Sequence, residues 1–308
     1  MDGRIADPAE GAGVALVVAG AALFGTLGIF GEAARLVGLS TATLLGVRFL
    51  AATAILWGYL ARRPGSARLG GRTLAVELGL GLVYGVMSVA YFESLAWLSA
   101  GVAALVLFTY PVQVTLVSAA VLDEPVTVPK AVALLSALGG VALVAATGGD
   151  GVRVAVAGLA LVGVASLAYT VYSTATRVVV ETVSPLVHTA HVFLGVTVVV
   201  LGYGVVTGSL AAPATRADWL LIAGITLVGT LLPMVLFTAG LARIPASTAS
   251  IVSTSEPLTT VVLGVALLGE PLTASVLGGG LLILASVVVA SPAVERTLCD
   301  RLGSGVIG

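Results

Sequence analysis

Residues 103–127 read AALVLFTYPVQVTLVSAAVLDEPVT, and residues 249–273 read ASIVSTSEPLTTVVLGVALLGEPLT. One shift of 146 residues lays Pro111 on Pro257, Glu124 on Glu270, Pro125 on Pro271 and Thr127 on Thr273, with proline and glutamate 13 apart in both stretches. It also pairs Leu95 and Ala96 with Leu241 and Ala242, Ala103 with Ala249, and Leu122 with Leu268. Alanine and leucine matches are cheap in this composition, whereas proline and glutamate matches are not. The chain therefore reads as two homologous halves, supported chiefly by their closing segments, because the opening segments align poorly.

Outward from these stretches the chain is almost all apolar blocks. It is 58% hydrophobic and 9% charged, with a mean hydropathy of +1.15, whereas a soluble domain carries roughly a quarter charged residues. Blocks of about 20 residues match a hydrocarbon core of ~30 Å at ~1.5 Å rise per residue. They predict an all-α membrane protein of ten spans, near 12–31, 40–60, 74–97, 100–121, 128–147, 154–175, 184–206, 218–241, 245–268 and 273–291. Asp2, Arg4, Asp7 and Glu10 precede the first block, which is longer than a signal-peptide core and lacks a basic lead-in, so it is read as a retained span. Five spans per half is an odd number, so the second half enters the membrane in the opposite sense. Such inverted repeats suit alternating access to a midplane site.

Basic residues orient the bundle. With the N-terminus inside, the ten residues Arg4, Arg62, Arg63, Arg68, Arg72, Lys130, Arg177, Arg243, Arg296 and Arg301 are cytoplasmic, against three outside, Arg35, Arg153 and Arg216. This bias predicts both termini on the cytoplasmic side. The remaining basic residue, Arg48, falls inside a span.

The pattern resembles the drug/metabolite transporter superfamily, in particular its paired EamA-type domains of five helices each. The resemblance is carried by Ala103-Ala104-Leu105 through Tyr110-Pro111 to Leu122-Asp123-Glu124-Pro125, and by Ala249 through Glu256-Pro257-Leu258 to Leu268-Gly269-Glu270-Pro271. Gly46-Val47-Arg48-Phe49-Leu50 adds to it. Two EamA-like repeats, 13–147 and 154–290, cover nearly the whole chain. The resemblance implies a secondary transporter without catalytic residues, an exporter of an amino acid or comparable small metabolite.

Candidate site residues follow from what is costly in a bilayer. Glu256 falls near the middle of the ninth span, where an acidic side chain costs on the order of 2.5–3.5 kcal/mol on insertion scales and must be paired, hydrated or protonated. Ala249, Ser253, Glu256 and Thr260 share one helical stripe. Tyr110 is the repeat counterpart of Glu256. Each precedes a proline that frees the carbonyl four residues earlier, of Leu107 and of Ser253, so kinks are expected in the fourth and ninth spans. Arg48 cannot escape burial by deprotonating, and its natural partner is a carboxylate, from the protein or from an anionic substrate. Sequence alone does not pair it with Glu256 rather than Glu93.

In the third span Glu77, Tyr84, Ser88 and Tyr91 share a stripe, and Glu93 projects opposite Tyr84. Tyr84 and Tyr91 are the cavity candidates. Glu256, Glu93 and His188 are the residues that can carry a coupling proton, with interfacial packing the alternative for His188 and His191. Glu124-Pro125 and Glu270-Pro271 stand at span ends, where a structural role in capping the following helices or anchoring loops is expected.

Other function classes lack their signatures. No G-x-x-x-x-G-K-[ST] loop exists, and Lys130, the single lysine, follows Pro129. H-E-x-x-H and G-x-S-x-G are missing, and Cys299, the single cysteine, lies in the polar tail. Enzymatic activity, a cofactor and a metal are therefore not expected, and an intramembrane enzyme is the weakest alternative. A net charge of −1 gives no basic surface for nucleic acid. A nucleotide-sugar or phosphate-ester antiporter is the competing transporter reading, poorly matched by one basic residue deep in the spans. The expected partners are the lipid bilayer and a small-molecule substrate, with room for a homodimer. Thirteen arginines against one lysine suggest a GC-rich bacterial genome and hence a bacterial cytoplasmic membrane.

Overall fold

The structure is a computed structural model that describes residues 8–62, 69–98, 103, 106–145, 155–268 and 273–302. Every described element is helical, as a chain surrounded by hydrocarbon must be if its backbone groups are to be satisfied within each segment. The first half comprises α1 (Pro8–Phe24), α2 (Leu27–Leu36), α3 (Thr41–Leu60), α4 (Gly71–Ser94), α5 (Tyr110–Val121) and α6 (Val128–Ala145). The second comprises α7 (Val156–Val179), α8 (Pro185–Thr207), α9 (Arg216–Thr226), α10 (Leu232–Leu241), α11 (Ala246–Ser253), α12 (Glu256–Leu263), α13 (Ala274–Ala290) and α14 (Pro292–Leu302). Of the described helical stretches, seven are long and apolar enough to cross a membrane, or eight with the pair α13 and α14, which is bent by 76°. Helices α5 and α6 are shorter apolar helices. Glu270 and Pro271, and Ala104 and Leu105, lie outside the described residues.

Polar side chains set the helix starts. Ser40 accepts the Thr43 amide ahead of α3. Thr215 and Asp218 form a reciprocal capping box at α9, and Gly208, at φ +63°, ends α8 in the left-handed conformation glycine tolerates.

The first apolar block is two helices rather than one. At the break, Gly25 presses against α12 so closely that a Cβ there would stand 2.6 Å from the Glu256 carbonyl oxygen. Thr260 Oγ1 donates to the Gly25 carbonyl at 2.9 Å. The eighth block is also interrupted. Leu227–Leu231 form a π-turn between α9 and α10, where Pro233 has no N–H to continue the regular ladder and Thr230 Oγ1 donates to the Ile225 carbonyl at 2.8 Å.

Two ends of the bundle can be identified by contacts distant in sequence. At one, Arg296 grips Glu10 at 2.6 and 3.1 Å, Thr127 donates to Glu295 at 2.6 Å, and Glu124 meets the start of α11. We call this the Glu10 end. At the other, the Ser40 end, Ser40 donates to the Ser209 carbonyl at 2.6 Å and Ala211 donates its amide to Thr43 at 2.9 Å.

Packing between the halves is extensive. Helix α1 lies on α10 and α4 on α7, α4 on α8 and α3 on α9, α5 on α7 and α11 on α1, while α6 meets α13, α3 meets α8 and α5 meets α11. Helices in lipid gain little from apolar burial and associate through close small-residue contacts. Gly81 and Gly195 supply one where α4 crosses α8: a Cβ on Gly81 would fall 2.3 Å from the Val192 carbonyl oxygen. Valines and leucines such as Val206, Val156 and Leu135 stand exposed on the outside, whereas Thr170, Ser173, Thr176, Thr238, Thr248 and Thr254 are buried within. The outside is apolar and part of the interior polar, as a lipid-solvated bundle requires.

Candidate functional site

Two helix breaks face each other in the middle of the bundle. The fourth block turns at Phe108 and Thr109, and α5 begins with Tyr110 and Pro111. The Leu107 carbonyl that Pro111 leaves without an amide partner accepts Ser166 Oγ of α7 at 3.3 Å. Gln113 continues this seam, donating to Ser166 at 2.9 Å and accepting from Thr170 at 3.0 Å. The ninth block breaks between Ser253 and Glu256, where tight i→i−3 bonds from Thr254 to Ile251 and from Ser255 to Val252, both 3.1 Å, replace the α ladder. Both breaks sit where prolines place them. The buried Tyr110 hydroxyl bridges them, donating to the Ser250 carbonyl at 3.4 Å with Ser253 Oγ within hydrogen-bonding reach.

An aromatic cluster extends from Tyr110. Its ring meets Tyr169 edge-on at 4.5 Å between centroids; Tyr169 lies 6.2 Å from Tyr172 and 6.4 Å from Phe237, and Tyr172 lies 4.8 Å from Tyr84. Phe49 meets Tyr84 at 6.3 Å. Glu256, half-buried at the start of α12, is within electrostatic range of the hydroxyls of Tyr84, Tyr91, Tyr110 and Tyr169.

Arg48 approaches from α3. Its guanidinium carbon lies 4.7 Å from the Phe49 ring centroid and 5.4 Å from that of Phe92, and Tyr84 is within its electrostatic range. It is 4% exposed, yet among the described residues its Nε and Nη1 meet no hydrogen-bond acceptor. The region thus holds a buried guanidinium, a half-buried carboxyl group and a cluster of tyrosine rings.

The remaining candidates lie apart. Glu93, near the Ser40 end of α4, is within hydrogen-bonding reach of the Tyr203 hydroxyl on α8. His188 is fully buried rather than interfacial, with Nδ1 2.7 Å from Glu77 Oε2. His191 Nδ1 contacts the Val187 carbonyl at 2.8 Å and its ring meets Trp57. Glu124 caps α11 of the other half instead of the helix that follows it. Tyr169, Tyr172 and Phe237 were not expected at the centre. For the first two, the available signal was the run Tyr169, Tyr172, Ser173 and Thr176 at helical spacing in the sixth block.

Known proteins bear on this arrangement. Residues 11–146 and 156–291 each match the model of the EamA-like transporter family. An uncharacterized transporter of Archaeoglobus fulgidus is 29% identical over 278 residues, covering 90% of this chain and 96% of that protein. A solved crystal structure of a protein superposes with a TM-score of 0.80 at 18% identity, covering 92% of this chain and 98% of that one, a likeness of fold. With both halves matched over nearly their full length, the chain belongs to the EamA-like transporter family and is a membrane transporter of the drug/metabolite superfamily.

Proposed function

We propose that the protein is a secondary transporter that exports a small zwitterionic metabolite, an amino acid or a close analogue, by alternating access around the Arg48, Tyr84, Tyr91, Tyr110, Ser253 and Glu256 cluster. The observation that carries the reading is the buried guanidinium of Arg48, whose Nε and Nη1 meet no acceptor among the described residues. A buried donor without a partner costs about 1–3 kcal/mol or more, and a substrate carboxylate would supply the missing acceptors. The substrate ammonium then belongs with Glu256 and the tyrosine faces, and Glu256 is the residue assigned to proton coupling.

Ten spans in two inverted five-helix repeats, 13–147 and 154–290, fit the contacts. Exchanging the halves turns the pair α1 and α10 into α7 and α4, and the pair α4 and α8 into α9 and α3, while α6 with α13 maps onto itself. Contacts gather Glu10, Lys130, Ala246 and Glu295 toward the Glu10 end, which supports an even number of crossings by each intervening stretch. The excess of basic residues on that side argues that the Glu10 end is cytoplasmic, in a bacterial inner membrane.

The test is a thermal-stabilisation screen of purified protein with amino acids and their carboxamides, followed by flux into proteoliposomes. Stabilisation and flux by free amino acids, lost in the carboxamides and in Arg48→Gln, is the expected result. Equal transport of compounds without a carboxylate would remove Arg48 as a substrate contact.

A further inference from the structure

The substrate cluster leaves unused the most deeply buried ionisable pair of the described residues. Glu77 of α4 and His188 of α8 are both 0% exposed, with 2.7 Å between Oε2 and Nδ1. The contact is a close approach of two ionisable groups rather than an aligned hydrogen bond, and among the described residues Glu77 Oε1 meets no hydrogen-bond partner. His188 Nε2 lies 3.4 Å from both the Tyr172 hydroxyl and Thr176 Oγ1, and Tyr172 stacks near Tyr84. The pair therefore adjoins the aromatic cluster on the side of the Glu10 end, since Glu77 is on the second turn of α4 and His188 on the first turn of α8.

Its position joins the two halves. Helices α4 and α8 run parallel and in register, Gly81 against Gly195 and Gly85 against Val199, and the pair lies about a turn nearer the Glu10 end. Tyr172 and Thr176 of α7 face His188; Thr238 of α10 and Tyr84 of α4 stand beside Tyr172 rather than the pair, and His191 of α8 packs on Trp57 of α3. None of these is a permanently charged partner.

Proton counting then decides the behaviour of the site. Only states in which the two groups hold one proton between them are neutral; one more or one fewer leaves a bare charge without solvent, at several kcal/mol per ion. In water a histidine side chain gives up its proton near pH 6.5 while a glutamate stays ionised. We propose that Glu77 and His188 form a proton-binding latch that closes the Glu10 end of the substrate pathway: with that end shut they share one proton, and when it opens to water His188 releases the proton to solvent. The products of opening are a neutral imidazole and a hydrated carboxylate. The shut form then binds one more proton than the open form above about pH 6.5, so raising pH favours opening, by up to about tenfold per pH unit. Below that pH both forms hold the proton and the dependence vanishes. The inference rests on the alternating-access reading above.

The experiment uses full-length protein in proteoliposomes, with Cys299→Ser removing the native thiol. Leu80→Cys then places a reporter one turn from Glu77, at a buried position. Labelling by a membrane-impermeant maleimide from the Glu10 end is followed from pH 5.5 to 8. Thiol reactivity itself rises with pH and cancels in the ratio to a Glu77→Gln/His188→Gln protein carrying the same cysteine. The expected ratio is flat below about pH 6.5 and climbs up to about tenfold per unit above it. Exchanging the pair, Glu77→His with His188→Glu, should restore the climb and shows that a variant with a flat profile is not merely misfolded. A flat ratio with labelling present overturns the latch and leaves the carrier reading standing; no labelling at any pH overturns both.

Discussion

The Glu124 carboxylate accepts the backbone amides of Ala246 and Ser247, at 2.8 and 3.1 Å, together with the Ser247 hydroxyl. A residue between the last two helices of the first half thus caps a helix of the second. A carboxylate at a helix N-terminus answers both the free amides and the helix dipole. Glu124→Ala should lower stability by about 2–3 kcal/mol, the scale of charge-assisted hydrogen bonds combined with a lost cap. Glu124→Gln, which keeps the acceptor but loses the charge, should lose less. Thermal unfolding in detergent checks the ranking, and equal stability of the alanine variant would contradict it.

The C-terminal helix α14 returns to the same end and makes two unlike attachments. Glu295 accepts Thr127 Oγ1 at 2.6 Å and lies 3.9 Å from Lys130 Nζ, on a lysine only 4% exposed along its side chain. Arg296 meets Glu10 where the side chains are 53% and 27% exposed. Hydrogen bonds to a charged group away from water are worth about 1.5–3 kcal/mol, whereas exposed ion pairs contribute roughly 0–1. Glu295→Ala should therefore lower the unfolding midpoint clearly more than Glu10→Ala. Added salt should weaken only the Glu10 contribution.

How much of this was legible in the sequence depends on whether the cause of each feature is local. Breaks ahead of Pro111 and Pro257 could be read because a missing N–H acts within one turn. The stripe of Glu77, Tyr84, Ser88 and Tyr91 could be read because it obeys helical periodicity, and three of its members are buried while Tyr91 is partly so. The break at Gly25 could not, since its cause is the α12 backbone and Thr260, more than two hundred residues away. Glu77 and His188 likewise belong to helices of different halves, and no spacing rule joins them. The structural role expected of Glu124 could be read from its place at a span end, but its target could not, since the repeat folds back so that α11 starts beside it.

Two glycines of α4 separate packing from helix propensity. Gly81 faces α8, where a Cβ would come within 2.3 Å of the Val192 carbonyl oxygen and 2.8 Å of Gly195 Cα, while a Cβ on Gly79 would meet nothing within 4 Å. Backbone cannot step aside as a flexible side chain can, so Gly81→Ala should cost at least the ~1–3 kcal/mol typical of overpacking. Gly79→Ala should be neutral or stabilising by up to about 1 kcal/mol through helix propensity. The comparison is made by thermal unfolding of both variants, and a neutral Gly81→Ala would mean that α4 and α8 are less closely apposed.

Glu256 carries the last prediction, which concerns coupling. It starts α12 beside the helix break, within electrostatic range of four tyrosines, so a change in its charge would be felt across the whole aromatic cluster. Glu256→Gln keeps the shape and the hydrogen-bonding capacity but cannot exchange a proton. If transport is proton-linked through this residue, the glutamine variant should lose accumulation driven by a pH gradient while retaining substrate exchange under balanced conditions. Glu256→Ala removes the ligand contact as well and should impair both. A glutamate that only joined helices would behave differently, lowering the yield of folded protein in both variants without separating the two modes. Flux should therefore be compared at equal amounts of folded protein, with and without an imposed gradient. Undiminished gradient-driven uptake in the glutamine variant would exclude Glu256 as the proton carrier and leave the Glu77 and His188 pair as the place to look.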